Sequence, residues 1–308
     1  MPSFARGVYF MQNIKAPVFV ALSEGSKVIG WQKFPWDDTP ATTDNKVFSH
    51  LWLIDPVTGK DDTFTLRNLM GGTYLSLPGA NATNGTLIVG GSPNSAQEIQ
   101  WIIKAPTGGQ AGTFKIQHAV AKTFVDLYGG GSTNGTAING WAGDWNIAGN
   151  ANQNWVFERV SRTSGEIKTA VLANPDISTD FKSFLADSDY LLLPRGFWQN
   201  IWNSSDLKNR RWRSEIFDCD DFATVEPTFC IIPVFKAEVA KWGDTNIKAD
   251  NISVLCGLMY GTSDRGGHAY NFAIMSNTPN KVVFFEPQTN SFMDSIGFKA
   301  YFGMFCQI

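Results

Sequence analysis

The stretch Gln153-Asn154-Trp155-Val156-Phe157 closes a unit that opens at Gly112-Thr113-Phe114-Lys115-Ile116, and the chain contains three such units. The middle copy runs from Asp62-Thr63-Phe64-Thr65-Leu66 to Gln100-Trp101-Ile102-Ile103, and the first from Gly7-Val8-Tyr9 to His50-Leu51-Trp52-Leu53. The closing tryptophans Trp52, Trp101 and Trp155 are 49 and 54 residues apart. Between them, short alternating runs such as Thr63 to Leu66, Thr73 to Leu77 and Thr86 to Val89 read as strands. Gly71-Gly72, Gly108-Gly109 and Gly129-Gly130-Gly131 read as turns, where a residue without Cβ tolerates positive φ. Three copies of about 50 residues, each of short strands ending in a buried Trp, predict an all-β β-trefoil. Propeller blades are a little shorter, and three would not close a ring.

The whole chain has 308 residues, which suggests about two domains. Of 29 glycines 20 lie in residues 1–160, as do 7 of 11 tryptophans, whereas Cys219, Cys230, Cys256 and Cys306 all follow. The expected organisation is therefore a multidomain chain, with domains at 1–160 and 161–308. A hydrophobic content of 43% excludes a wholly disordered chain. A net charge of −3, with no basic run longer than Arg210-Arg211, argues against nucleic acid as a partner. No apolar stretch is long enough for a transmembrane segment. The N-terminus has no apolar signal core, so a cytoplasmic protein with reduced thiols is expected. The Asn-x-Ser/Thr sequons then carry little weight.

The third unit holds Asp126, then Asn139 and Trp141 at 13 and 15 positions beyond it, then Asn152-Gln153 ahead of Asn154-Trp155. Over roughly residues 5–160 this resembles the ricin B-type (R-type) lectin family, whose repeat mark is Gln-x-Trp. The resemblance implies a carbohydrate site in which Asp126, Asn139, Asn152 and Gln153 take vicinal hydroxyls. Trp141 would stack on the apolar face of galactose. The second unit has Ser76, Val89, Gly91 and Ile99 at the matching places, so it lacks acid, amide and ring. The first has Ala21 for the acid and keeps Trp31, with a loop about five residues short. One sugar site is expected, for galactose-containing glycans of glycoproteins or glycolipids.

The second half reads as α+β. Ser164 to Ala173 and Asp180 to Leu185 are expected helices, and Ile252 to Tyr260, His268 to Met275 and Lys281 to Glu286 expected strands. His268 is the only histidine here. A hairpin about Asn277-Thr278-Pro279-Asn280 sets it opposite residues 286–289, and so beside Glu286. An acid that fixes an imidazole tautomer is the third member of a catalytic triad. The candidate nucleophile, Cys219, opens an expected helix, where the macrodipole favours thiolate. Its neighbours Asp218, Asp220 and Asp221 disfavour thiolate, and a bound calcium ion would cancel their charge. The alternative is an acidic helix cap around a buried Cys. Cys256 is expected in the core.

Trp212 to Ala223, His268 to Phe272 and Val283 to Gln288, behind a trefoil, resemble the fungal chimerolectins, the family typified by Marasmius oreades agglutinin and Polyporus squamosus lectin. The resemblance implies a papain-like, calcium-dependent cysteine protease domain that cleaves a peptide substrate and mediates homodimerisation. It also implies a cytosolic defence or cytotoxic protein that meets external glycans after release or ingestion. Cys219 would be nucleophile, His268 general base and acid, and Glu286 its orienter. Asp220 and Asp221 would bind the metal; Glu215 and Asn271 are added because they stand near the motifs. The Cys-Gly-Ser-Cys-Trp motif of papain-like proteases is absent, and the Cys-to-His spacing is shorter. Glu226-Pro227-Thr228-Phe229-Cys230-Ile231-Ile232-Pro233-Val234 interrupts an otherwise continuous amphipathic pattern from Asp220 to Gly243. Its prolines break a helix. A translated intron would explain it, and so would a loop. If it disables the thiol, the second domain is a scaffold for a dimeric agglutinin.

Overall fold

The computed structural model describes residues 4–23, 26–92, 96–109, 111–146, 150–185, 188–205, 207–211, 213, 218–225 and 252–305. Glu215, Cys230, Cys306 and the segment 226–234 lie outside the described residues. Among the described residues the chain forms two compact units, one of residues 4–35 and 44–159, the other of 36–43 and 160–305.

The first unit is a 13-stranded β-trefoil. Its first repeat supplies β1 (Gly7–Asn13), β2 (Phe19–Leu22), β3 (Val28–Trp31) and β4 (Trp52–Pro56). The second supplies β5 (Thr63–Asn68), β6 (Tyr74–Ser76), β7 (Thr86–Leu87), β8 (Val89–Gly91), a single helical turn α1 (Ala96–Ile99) and β9 (Trp101–Lys104). The third supplies β10 (Thr113–His118), β11 (Phe124–Leu127), β12 (Thr136–Trp141) and β13 (Trp155–Arg159). The first and last strands of each repeat pair in a ring, β1 with β4, β4 with β5, β5 with β9, β9 with β10, β10 with β13 and β13 with β1. The ring closes, so none of these strands has a free edge. The inner strands form one hairpin per repeat, β2–β3, β6–β8 and β11–β12.

The closing tryptophans set this geometry. Trp52, Trp101 and Trp155 are fully buried in one core. Each indole N–H donates to a carbonyl on the second strand of its own repeat: Val20 at 3.0 Å, Leu75 at 2.8 Å and Val125 at 3.1 Å. The acceptor in each case precedes the position of the family's acid, which here is Ala21, Ser76 or Asp126. The turns after the second strands of repeats two and three pass through Gly79 and Gly129 at φ near 60°, where a Cβ would be strained.

The second unit is a mixture of sheet and helix. Its smaller sheet has order β14 (Ser161–Thr163), β16 (Asp189–Leu191), β17 (Ile252–Val254). Its larger sheet has order β15 (Ile177–Leu185), β22 (Lys299–Phe305), β18 (Gly257–Ser263), β19 (Gly266–Ile274), β20 (Val282–Glu286), β21 (Ser291–Met293). Helix α2 (Ser164–Leu172) starts at a capping box, in which Thr163 and Glu166 each bond the other's backbone N–H. Helices α3 (Arg195–Ser204) and α4 (Cys219–Val225) follow. Segment 36–43 joins this unit through α3: Asp38 Oδ1 accepts from the Arg195 backbone N–H at 2.9 Å, and Asn200 Nδ2 donates to the Pro40 carbonyl at 2.9 Å.

Two local expectations are corrected. Asp180 to Leu185 lies in strand β15, not in a helix. Its apolar positions 181, 184 and 185 imitate helical spacing, but parallel pairing with β22 decides the matter. Phe181 lies over Gly303, while Phe184 is left 64% exposed. The run from Ile252 to Tyr260 is split between two sheets, since β17 pairs with β16 and β18 with β19 and β22.

Trp101→Phe keeps the aromatic bulk and strands the Leu75 carbonyl. The expected loss in denaturant unfolding of the trefoil is about 1–3 kcal/mol. Unchanged stability would show that the indole bond does not hold the repeat.

Candidate functional site

The third repeat builds a polar cluster from β11, β12 and the turn before β13. Pairing of β11 with β12 sets Asp126 opposite Asn139 and Phe124 opposite Trp141. Asp126 and Asn139 are 3% and 2% exposed, and Trp141 is 36% exposed. Asp126 Oδ2 accepts from Asn150 Nδ2 at 2.9 Å and from Gln153 Nε2 at 3.1 Å; Gln153 Nε2 also donates to the Ala142 carbonyl at 3.1 Å. Oδ1 takes neither amide. Asn139 Oδ1, Asn152 Oδ1 and Gln153 Oε1 are buried and make no hydrogen bond within the protein. Burial pushes the Asp126 carboxyl above its ordinary range, while the amides of Gln153 and Asn150 and the charge of Lys15 pull it back.

The structure adds three residues to the five expected here. Asn150 holds Asp126 and, through its own Oδ1, accepts from Asn152 N–H. Its sequence signal is an Asn two residues before Asn152, an Asx-turn pattern. Lys115 is fully buried and donates at 2.8 Å to the carbonyls of both Asp144 and Asn146, fastening the loop after Trp141. Burial lowers its basicity, with Asp144 offsetting part. No sequence signal marks it beyond a charge among buried strand residues. Gly143 matters by what it lacks, because a Cβ there would overlap Gln153 Oε1.

In the second unit, the β19–β20 register pairs Asn271 with Phe285 and Ile274 with Val282. Extended, it puts His268 opposite Gln288, and Glu286 is on the same face two residues away. His268 Nε2 and Glu286 Oε2 are 2.6 Å apart, with side chains 16% and 13% exposed. The rings of Tyr270 and Phe298 flank the imidazole at 5.8 Å and 4.7 Å. Nε2 is engaged by the carboxylate, so Nδ1 is the nitrogen left for another partner.

Cys219 begins α4 and is half-buried against Ala223, Leu258 and Ala269. Among the described residues no hydrogen bond joins it to His268. Its Sγ and carboxylate oxygens of Asp218 and Asp220 lie within 4.8 Å of one another. Hydrogen bonding to the Asp218 side chain, then burial, push the Asp220 carboxyl upward. Two hard carboxylates fit a calcium ion; the soft sulfur does not, so the oxygen side is where calcium would bind. Asp221 Oδ2 accepts from the Asp218 backbone N–H at 3.1 Å. Asn271 has a structural task, as its Nδ2 donates to the Ala223 carbonyl at 2.8 Å and the Gly257 carbonyl at 3.2 Å.

Residues 49–141 match the ricin-type β-trefoil lectin domain-like family, and residues 190–292 match the agglutinin C-terminal family. A crystal structure of Polyporus squamosus lectin is 40% identical, with a TM-score of 0.78, over 98% of this chain and 100% of that one. The chain belongs to this lectin family. The relative is described as bound to the epitope Neu5Aca2-6Galb1-4GlcNAc. A second structure, equal in identity, coverage and TM-score, is described as a PSL1a–E64 complex. No match emerged among curated proteins.

A raised Asp126 pKa has a consequence for this lectin. The native state holds that proton more tightly than the unfolded chain, so ionised Asp126 costs stability as pH rises. Both amide bonds go to one oxygen, so an Asn can still accept them. Asp126→Asn is expected to raise Tm at pH 7 and to lose glycan binding. The Tm gain should shrink as pH falls towards about 4, the ordinary Asp range, and be lost below it. A lower Tm at pH 7 would refute this account of the carboxylate.

Proposed function

We propose that the protein is a galactoside-binding lectin whose second unit is a papain-like, calcium-dependent cysteine protease acting in defence. The observation that carries the lectin half is the convergence of Asp126, Asn139, Trp141, Asn152 and Gln153 on one end of the third repeat. A cluster of carboxylate and amide side chains beside a half-exposed indole matches the two faces of galactose: hydroxyls on one side, C–H groups on the other. The second and first repeats have no carboxylate at this place, so binding is monovalent per chain. A homodimer would restore bivalence and allow agglutination.

The protease half rests on the 2.6 Å bond between His268 and Glu286. Glu286 fixes the tautomer that leaves the Nδ1 lone pair free to take the thiol proton. Cys219 thiolate then attacks the peptide carbonyl, His268 returns the proton to the leaving amine, and water hydrolyses the thioester. Calcium on Asp218 and Asp220, with Asp221 and Glu215 as further oxygen donors, would offset the negative charge beside the sulfur. A relative 40% identical is described in complex with E64, an epoxide reagent for active-site thiols, which supports the reading. The second reading is a scaffold without proteolysis. It is favoured by the lack of a hydrogen bond between Cys219 and His268 among the described residues, and by the proline-bearing segment 226–234 in the sequence.

E64 labelling with calcium, followed by mass spectrometry, separates the two. The protease reading expects one label on Cys219, lost in Cys219→Ala and after EDTA, with glycan binding intact. Absence of labelling at every calcium concentration would establish the scaffold. Glu286→Gln is expected to lower peptide cleavage at least tenfold while retaining some labelling, and full cleavage would remove Glu286 from the mechanism.

A further inference from the structure

The turn after β1 belongs to the first repeat but is fastened to the third. Asn13, at the end of β1, pairs opposite Trp155. It is buried, and its Nδ2 donates to the Asn152 carbonyl at 2.8 Å and to the Asn154 carbonyl at 3.3 Å. Its Oδ1 accepts from the Lys15 backbone N–H at 3.0 Å, and the Ile14 N–H donates to the Asn154 carbonyl at 3.1 Å.

These bonds set Lys15 beside the candidate sugar residues. A Cβ on Gly130 would come 2.6 Å from both Lys15 Cδ and Asn152 Oδ1, and 2.8 Å from Lys15 Cε. The lysine stem and the Asn152 amide therefore lie side by side over Gly130. The ammonium is close enough for its charge to favour ionised Asp126. The Lys15 side chain is exposed, and among the described residues its ammonium makes no hydrogen bond or ion pair.

The threefold repeat supplies a comparison. Asn68 pairs opposite Trp52 and His118 opposite Trp101, as Asn13 does opposite Trp155. Two residues beyond them stand Met70 and Val120, where the first repeat has Lys15. Met70 lines a cavity with Ala21, Trp31 and His50, the first repeat's counterpart of the sugar site. The same position thus borders the first repeat's place and the third's, and it is charged only beside the one that holds a carboxylate.

A neutral galactose has the amides and the carboxylate for its hydroxyls and needs no cation. A galactose with a negative group meets repulsion from Asp126 unless a cation stands near. We propose that Lys15 is a specificity-determining residue that gives the third-repeat site a preference for galactosides carrying an anionic group, either a sulfate ester or a glycosidically linked carboxylate. This rests on the lectin reading of that site. It adds a contact that Asp126, Asn139, Trp141, Asn152 and Gln153 do not supply.

The test is calorimetric titration of the full chain with lactose, 3′- and 6′-sulfolactose, and 3′- and 6′-sialyllactose. At least one anionic sugar is expected to bind about fivefold more tightly than lactose at low salt, with the ratio falling as salt rises. The sulfated and sialylated arms separate a sulfate from a carboxylate as the preferred group. Lys15→Met, which places there the side chain that Met70 has, should bring the ratio to one or below, and Lys15→Arg should keep it above one. The proposal is overturned if no anionic sugar is preferred. It is also overturned if the ratio survives in Lys15→Met, since the ammonium would then serve only to offset the charge of Asp126. Lactose binding without preference overturns this proposal and leaves the lectin reading standing; no binding by any of the sugars overturns both.

Discussion

The structure of the first unit depends on three indole N–H groups, each bonded to a carbonyl of its own repeat. The bond ties the last strand of a repeat to its second strand. It joins a wall of the barrel to the hairpin that carries recognition residues. Because the indole is fully buried and its one donor must be satisfied, the carbonyl has little freedom. The next residue along the second strand is thereby fixed. In the third repeat that residue is Asp126; in the others it is Ser76 or Ala21. Scaffold and candidate site meet at one peptide unit, and the indole bond uses only its carbonyl, so the barrel is built alike with Asp126, Ser76 or Ala21 in the next place.

The candidate site in the third repeat carries a cost in stability. Ionised Asp126 is buried against the preference of a carboxylate, and Asn139, Asn152 and Gln153 keep buried oxygens without donors. Lys115 and Asn150 supply the compensation: one holds the loop beyond Trp141, the other steadies the carboxylate. The first repeat differs: it has Ala21 in the place of the carboxylate, the ring of Trp31 in the place of Trp141, and the neutral imidazole of His50 in the place of an amide.

Much of this was legible in the sequence, for identifiable reasons. The repeat was visible because three large residues recur at nearly constant spacing, and only a closed core uses Trp in that way. The pairing of His268 with Glu286 was visible because a short hairpin turn fixes register over a few residues. Asp180 to Leu185 misled, since Phe181, Phe184 and Leu185 have helical spacing and the deciding partner, β22, is over 100 residues away in sequence. Lys115 was invisible, because a buried lysine is justified only by carbonyls that tertiary structure brings to it. The membership of residues 36–43 in the second unit was hidden too, as it rests on Asp38 meeting the start of α3.

The central claim is a threefold scaffold with one surviving sugar site. The direct measurement is calorimetric titration of the full chain with lactose, read for stoichiometry. The account predicts one lactose per chain. Two or three per chain, or one per chain retained in Asp126→Ala, would contradict it.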